Sequence, residues 1–148
     1  MGLTSPPNPD QLGPARRFWL ATAALGVAVP LAVAGWLRPD PTGFGTHQQL
    51  GLPPCTSVWL FGVRCPSCGM TTSWSHAVRG QWGAAFRANA GGALLAAAAM
   101  LAAPWLLLSA IRGKWLFGRP GDRTLAVVAC VMIAATLLDW VYRLGTQG

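Results

Sequence analysis

Three long apolar runs dominate the pattern of hydrophobic and polar positions along the chain. They cover residues 18–37, 92–111 and about 124–144, and each is almost free of charged side chains. A helix rises about 1.5 Å per residue, so twenty residues span about 30 Å, which matches the hydrocarbon thickness of a bilayer. The pattern therefore predicts three transmembrane helices at these positions.

Composition supports the bilayer as the main surroundings of the chain. Hydrophobic residues make up 53% of the sequence and charged residues only 10%, and the mean hydropathy is +0.41. We therefore predict an all-α integral membrane protein with the lipid bilayer as its partner. Eleven basic residues outnumber four acidic ones, but they flank the apolar runs and form no dense block. This arrangement indicates membrane topology and does not favour nucleic-acid binding.

The segments outside the apolar runs differ in character. Residues 1–15 contain four prolines and little apolar content, which predicts a disordered N-terminal tail before a single membrane domain at 16–148. The loop 38–91 begins with a stretch, Arg38 to Pro54, whose many prolines and glycines argue against a regular element. From Met70 to Asn89 the pattern predicts one amphipathic helix, which either lies in the membrane interface or simply leads into the second span. Its apolar side comprises Trp74, Val78, Trp82, Ala85 and Phe86, and its polar side His76, Arg79, Gly83 and Arg87.

Charge density sets the expected orientation. The short connector 112–123 holds four basic residues, whereas the long loop 38–91 spreads four over more than fifty positions. The positive-inside rule places the short connector and the N-terminus in the cytoplasm and the long loop outside. A second interpretation remains open, because Arg16-Arg17, an apolar core and Ala32-Val33-Ala34 resemble a cleaved signal peptide. Both interpretations place the loop 38–91 outside the cytoplasm.

Reactive chemistry concentrates in the stretch Cys65-Pro66-Ser67-Cys68-Gly69-Met70-Thr71. Two thiols at this spacing outside the cytoplasm can form a structural disulfide or tight turn that shapes the loop. They can also exchange disulfides, with Cys65 or Cys68 as the attacking thiol. A helix starting near Met70, with Thr71 or Thr72 as its N-cap, would direct its positive end at one thiol and lower the pKa of that thiol.

Metal binding is a third interpretation of the same stretch. Cys-Pro-x-Cys-Gly has the form of one zinc knuckle, and a closed zinc site requires four ligands. Cys55 is the candidate third ligand, and His76 or His47 the candidate fourth. Zinc is therefore the one cofactor that the sequence suggests.

The remaining polar residues indicate no enzyme chemistry. No Ser-His-Asp grouping, carboxylate pair, phosphate loop or nucleotide fingerprint occurs, which favours a non-enzymatic role. Asp139 lies near the end of the third apolar run, where a carboxylate is costly unless it is paired. Arg143, four residues later, is its predicted partner.

The cysteine stretch resembles a family of small bacterial membrane proteins known as domain of unknown function 2752. The resemblance runs from about residue 54 to residue 97 and also includes Cys55 and Ala84-Ala85. It departs from the family pattern at Thr72, where arginine is usual, and at Asn89-Ala90, where Asn-Pro is frequent. It implies membrane residence and the cysteine loop. We separately predict the bacterial inner membrane as the location, with other membrane proteins as candidate partners. The positions that the resemblance marks as a structural motif are Pro66, Gly69, Thr71, Gly80 and Asn89.

Overall fold

A computed structural model describes residues 11–147 as an assembly of helices. The α-helices are α1 (Pro14–Trp36), α2 (Thr56–Phe61), α3 (Met70–Ala77), α4 (Trp82–Ala88), α5 (Ala90–Arg112) and α6 (Asp122–Gln147), and a short 3₁₀ helix spans Thr46–Leu50. Within the described range, extended pairing is limited to an isolated bridge between Gln11 and Lys114. The tail predicted for residues 1–15 falls mostly outside the described residues.

Three of these helices are long and apolar enough to cross a membrane. They are Pro14–Trp36, Ala90–Arg112 and Asp122–Thr146, and they coincide with the three predicted spans. The prediction of an all-α protein with three membrane-spanning helices is confirmed. The chain thus has the architecture of a multi-pass membrane protein.

Helix α5 is the centre of the bundle, and it packs against α1, α3, α4 and α6. Its contact with α1 is the most extensive, and both helices have buried small residues. Small side chains let two backbones approach closely, which favours helix association where no hydrophobic driving force acts between the helices. The buried alanines include Ala24 and Ala34 on α1 and Ala96, Ala103 and Ala110 on α5.

Two arginine side chains donate hydrogen bonds to backbone carbonyls at the C-terminal ends of α1 and α5. At one end of the bundle, Arg17 of α1 donates hydrogen bonds to the carbonyl oxygens of Ala110 and Ile111 in the last turn of α5. At the opposite end, Arg79 donates to the carbonyl oxygens of Gly35 and Leu37 at the end of α1. Each guanidinium satisfies carbonyls that lack helical partners and complements the negative end of a helix dipole.

The prediction of a single amphipathic helix from Met70 to Asn89 is wrong, because the structure has two helices there, α3 and α4. The chain turns between them at Gly80, which adopts a left-handed φ of 73°. The backbone N–H groups of Arg79 and Gln81 both donate to the carbonyl of His76, which ends the first helix. In this arrangement Trp74 packs against a buried alanine cluster rather than facing outward.

Two local predictions also need correction. The N-cap of α3 is Gly69, not Thr71 or Thr72, and Thr72 is fully buried inside the helix. Its hydroxyl lies 2.8 Å from that of Thr46, at the start of the 3₁₀ helix. This 3₁₀ helix lies within the stretch Arg38 to Pro54, for which no regular element was predicted. The sequence does not reveal it, because the helix has only five residues and a glycine flanks it at each end.

Candidate functional site

Three cysteines converge beside the start of α3. Cys55 occupies the N-cap position of α2, and Cys65 and Cys68 are the two ends of a tight turn closed by a 3.0 Å hydrogen bond from the Cys68 amide to the Cys65 carbonyl. The Sγ atoms of Cys65 and Cys68 are 3.2 Å apart. All three Sγ atoms lie within 4.8 Å of one another. The fourth cysteine, Cys130, is exposed on α6 and does not belong to this cluster.

Gly69 permits the close packing that supports the turn. Its φ is 86°, a conformation that residues with a Cβ rarely adopt. A Cβ at this position would lie 2.5 Å from the carbonyl oxygen of Ala88 and 2.7 Å from that of Gly43. Only glycine fits between these two backbone segments, so the residue that follows Cys68 in the motif has a steric role.

Asn89 clamps the cysteine turn to the start of α5. Its fully buried side chain donates hydrogen bonds to the carbonyl oxygens of Pro66 (3.0 Å) and Cys68 (3.1 Å). Its Oδ1 accepts a 2.7 Å hydrogen bond from the Gly92 amide, which makes Asn89 the N-cap of α5. One side chain thus fixes both the turn and the helix behind it.

The end of α6 provides a second clamp. Arg143 is buried, and its Nη1 donates a 3.0 Å hydrogen bond to the carbonyl oxygen of Cys68. Its Nη2 lies 2.8 Å from the carboxylate of Asp139, so the predicted ion pair is confirmed. One residue beyond Asp139, the indole of Trp140 donates a 2.7 Å hydrogen bond to the carbonyl oxygen of Arg64. The third span therefore holds the segment that carries two of the three cysteines.

The three thiols have different acidities. Burial, together with hydrogen bonds to Cys65 and Cys55, raises the pKa of Cys68 to about 12. Burial also acts to raise the pKa of Cys55, but hydrogen bonds from the Cys68 thiol and from nearby backbone outweigh it and lower the pKa to about 6. The sequence predicted a lowered pKa for one thiol of the Cys65–Cys68 pair. Cys68 is not that thiol, because its desolvation raises the pKa.

The thiols open into a cavity of about 250 Å³. His47, Thr71 and Thr72 line it together with the three cysteines. The Nε2 atom of His47 lies 3.2 Å from the carbonyl oxygen of Pro53. The structure therefore brings His47, one of the two histidines proposed as a fourth ligand, to the same cavity as the thiols.

The other candidate histidine lies elsewhere. His76 lines a separate cavity, and its Nδ1 is 2.7 Å from the side-chain oxygen of Gln81. Pro66, Thr71 and Asn89 of the structural motif surround the cysteine turn, whereas Gly80 marks the break between α3 and α4. Sequence reasoning did not assign Arg143 to the cysteine turn, since 75 positions separate it from Cys68 and nothing local indicates their contact.

The arrangement suits two kinds of chemistry. In a tetrahedral zinc site the Zn–S bonds are about 2.3 Å, which places neighbouring thiolates roughly 3.8 Å apart. The observed separations, 3.2 Å for one pair and no more than 4.8 Å for the others, are compatible with that spacing after small side-chain movements. The closest pair is also near enough to form a disulfide after a small rotation of the side chains.

The fold and this site define a small helical membrane protein with a cluster of thiols at one end of its bundle. The model of a family described as "Protein of unknown function (DUF2752)" matches residues 55–107. The match begins at the first cysteine of the cluster, extends into α5, and confirms the family resemblance. Comparisons with curated proteins and with solved structures gave no match.

Proposed function

We propose that the protein is a metal-binding membrane protein whose site is formed by Cys55, Cys65 and Cys68. The observation that carries the proposal is the convergence of three Sγ atoms within 4.8 Å, drawn from two separate segments of the chain. Cys55 and Cys65 are partly exposed and Cys68 is buried, so the cluster lies at the boundary between protein and solvent. An ion could therefore reach it without global unfolding.

The donor set favours a soft or borderline ion. Thiolates select zinc or monovalent copper over magnesium and calcium, which prefer oxygen ligands. Three thiolates fill three positions of a tetrahedral zinc site, and His47 lines the same cavity as a candidate for the fourth. Zinc is the ion that we propose first, because imidazole and thiolate together are common zinc ligands.

A bound ion would also give the loop a shape. It would tie the start of α2 to the turn before α3, which are otherwise joined by α2 itself and the segment 62–64. This role agrees with a non-enzymatic protein whose cysteines organise the loop. We further place the N-terminus in the cytoplasm and the cluster on the outer side of a bacterial inner membrane, as the distribution of basic residues favours.

Metal content tests the proposal directly. The full chain, purified in mild detergent under reducing conditions, is titrated with cobalt, whose absorption spectrum reports thiolate ligands, and then with zinc as competitor. We expect one ion per chain, with intense sulfur-to-cobalt absorption that zinc abolishes. Cys55→Ser should weaken binding at least about a hundredfold, since it removes one of three strong ligands, whereas the matched variant Cys130→Ser should bind as the wild type does. Absence of thiolate absorption in the fully reduced protein would refute the proposal.

Thiol–disulfide exchange is a second candidate function, favoured by the 3.2 Å separation of Cys65 and Cys68. In this alternative, the two thiols lose two electrons and two protons to a disulfide of a partner protein, which is reduced to a dithiol. The reduction potential of the Cys65–Cys68 pair discriminates the roles. A potential below about −300 mV is typical of a structural disulfide, and a catalytic pair lies higher. If Cys65 and Cys68 are found as free thiols in the native membrane, metal binding is favoured over both a structural and a catalytic disulfide.

A further inference from the structure

A second cavity lies on the other side of the cysteine segment, against the end of α6. Its volume is about 470 Å³, and its wall includes Val58, Arg64, Trp140 and Arg143. The cavity is distinct from the thiol cavity, although Phe44 and Val58 line both. It is therefore bounded by the end of a membrane span on one side and by the loop on the other.

Arg64 contributes a positive charge to this cavity, and its guanidinium has no hydrogen-bond or ion-pair partner among the described residues. The side chain is half-buried, and its guanidinium lies 4.0 Å from the centre of the Phe44 ring. Within residues 11–147 we find no hydrogen bond or ion pair from this guanidinium. Arg143, on the same wall, is already engaged by Asp139 and by the carbonyl of Cys68. The donors of Arg64 thus remain free for an anion, and a planar guanidinium suits a phosphate group.

The charges around Arg64 reinforce this preference. Arg64 also lines a neighbouring cavity of about 390 Å³, where Arg87 and His76 add basic groups. The one carboxylate of that cavity belongs to Asp40, whose Oδ1 already accepts two hydrogen bonds from Thr42. The surroundings of Arg64 are therefore basic, which attracts an anion to the mouth of both cavities.

Apolar side chains lie beside this positive charge. Trp59, Leu60 and Phe61 of α2 are 76%, 56% and 74% exposed, although α2 supplies Val58 to the cavity wall. The loop sits at the level where two spans end or begin, since Trp140 and Arg143 near the end of α6 and Asn89 at the start of α5 all contact it. Exposed aromatic side chains at that level lie in the boundary between headgroups and acyl chains.

We propose that this cavity binds the phosphate of an anionic phospholipid headgroup, with Arg64 as the principal anion-binding residue. The acyl chains of the lipid would lie along the apolar side chains of α2 and the end of α6. The ligand must combine an anion with an apolar chain, because Arg64 lines the cavity and the exposed aromatic residues belong to α2, the helix that supplies Val58 to its wall. It does not depend on metal binding by the cysteines.

Lipid binding to the purified full chain, measured by native mass spectrometry from detergent, tests this proposal. We expect phosphatidylglycerol to bind at least about tenfold more tightly than phosphatidylcholine, and Arg64→Gln to abolish that preference. The matched variant Arg123→Gln, which removes a charge from the opposite end of the bundle, should retain it. Arg64→Lys keeps the charge but loses the planar donor set, so an intermediate affinity is expected.

Three results would overturn the lipid site. These are equal affinities for the two lipids, an unchanged preference in Arg64→Gln, and displacement of phosphatidylglycerol by inorganic phosphate at the same concentration. The last result would show a site for free phosphate and no contribution from the acyl chains. An unfolding temperature of Arg64→Gln equal to that of the wild type in the same detergent serves as the control for folding, because it reports the fold and requires neither lipid nor metal binding.

Discussion

The side-chain amide of Asn89 donates a 3.1 Å hydrogen bond to the carbonyl oxygen of Cys68, across 21 residues of sequence. The same amide group donates to the carbonyl of Pro66, while the Asn89 Oδ1 caps α5 through the Gly92 amide. The two halves of one side chain therefore perform separate tasks. The oxygen starts the central helix, and the nitrogen holds the turn that carries two of the clustered thiols.

This division of tasks predicts the effect of Asn89→Asp. The aspartate keeps an oxygen for the N-cap but replaces the amide nitrogen with an oxygen that faces two carbonyls. Loss of both donated hydrogen bonds removes the Asn89 donor from the Pro66 carbonyl and leaves the Cys68 carbonyl to Arg143. This should lower the free energy of unfolding by about 2–4 kcal/mol. Denaturant titration in detergent micelles measures this change.

Gln49→Glu is the matched control, because the Gln49 side chain also donates to a carbonyl but is exposed. It should change stability by less than about 1 kcal/mol. Equal effects of the two substitutions would contradict the clamp.

Gly69 and Gly80 allow the cost of backbone strain to be separated from the cost of a steric clash. Both have left-handed φ, 86° and 73°, but a Cβ on Gly69 would meet two backbone carbonyl oxygens, and one on Gly80 would meet no atom within 4 Å. Gly80→Ala should therefore lose only the strain contribution of about 1–2 kcal/mol. Gly69→Ala should lose that amount plus the cost of displacing backbone, and should also release cobalt from the thiol cluster. Similar thermal stability and similar cobalt binding in the two variants would count against the role assigned to Gly69.

Asp139 and Arg143 form an ion pair whose side chains are 14% and 6% exposed. Asp139→Asn leaves the Arg143 guanidinium buried without its counter-charge, which should destabilise the protein by about 3–5 kcal/mol. Asp122→Asn is the matched control at the start of the same helix, where a carboxylate contributes only through the helix dipole, about 0.3–1 kcal/mol. The double variant Asp139→Asn/Arg143→Met should recover part of the loss, since it removes the stranded charge. A double variant less stable than Asp139→Asn alone would show that Arg143 supports the loop mainly through its hydrogen bond to Cys68.

These residues also indicate how far the sequence predicts the structure. The three spans follow from the length of their apolar runs, and the pairing of Asp139 with Arg143 follows from their spacing on a helix. The break at Gly80 could not be predicted from the sequence, because the flanking residues keep a helical period and a single glycine is tolerated within many helices. Contacts of Arg143 and Asn89 with Cys68 depend on how the spans pack, and no local pattern encodes that packing. For the same reason the sequence left both His76 and His47 as candidates for the fourth ligand, and only the fold separates them.

The proposed orientation predicts which reagents reach the thiols. In a variant that retains Cys55 as its single cysteine, a membrane-impermeant maleimide should label intact cells after reduction, because Cys55 is partly exposed at the end of the bundle placed outside. Arg119→Cys, introduced into a variant without other cysteines, provides the matched control. It lies in the connector between α5 and α6 at the opposite end and should react only after the membrane is permeabilised. Labelling with the reverse pattern would invert the topology and place the cluster in the cytoplasm.

Metal binding should be visible as a gain in stability, because the three thiols come from segments that a bound ion would cross-link. An ion that binds the folded chain alone stabilises it by about 2.7 kcal/mol when its free concentration is a hundred times the dissociation constant. Zinc should therefore raise the unfolding temperature of the reduced protein, and a chelator should reverse the rise. Cys65→Ser should abolish this response, while Cys130→Ser, on the exposed face of α6, should leave it unchanged. A zinc-dependent rise that persists in Cys65→Ser would place the ion elsewhere in the chain. Absence of any rise in the reduced wild type, with the oxidised protein more stable than the reduced, would favour a Cys65–Cys68 disulfide as the state in which the site operates.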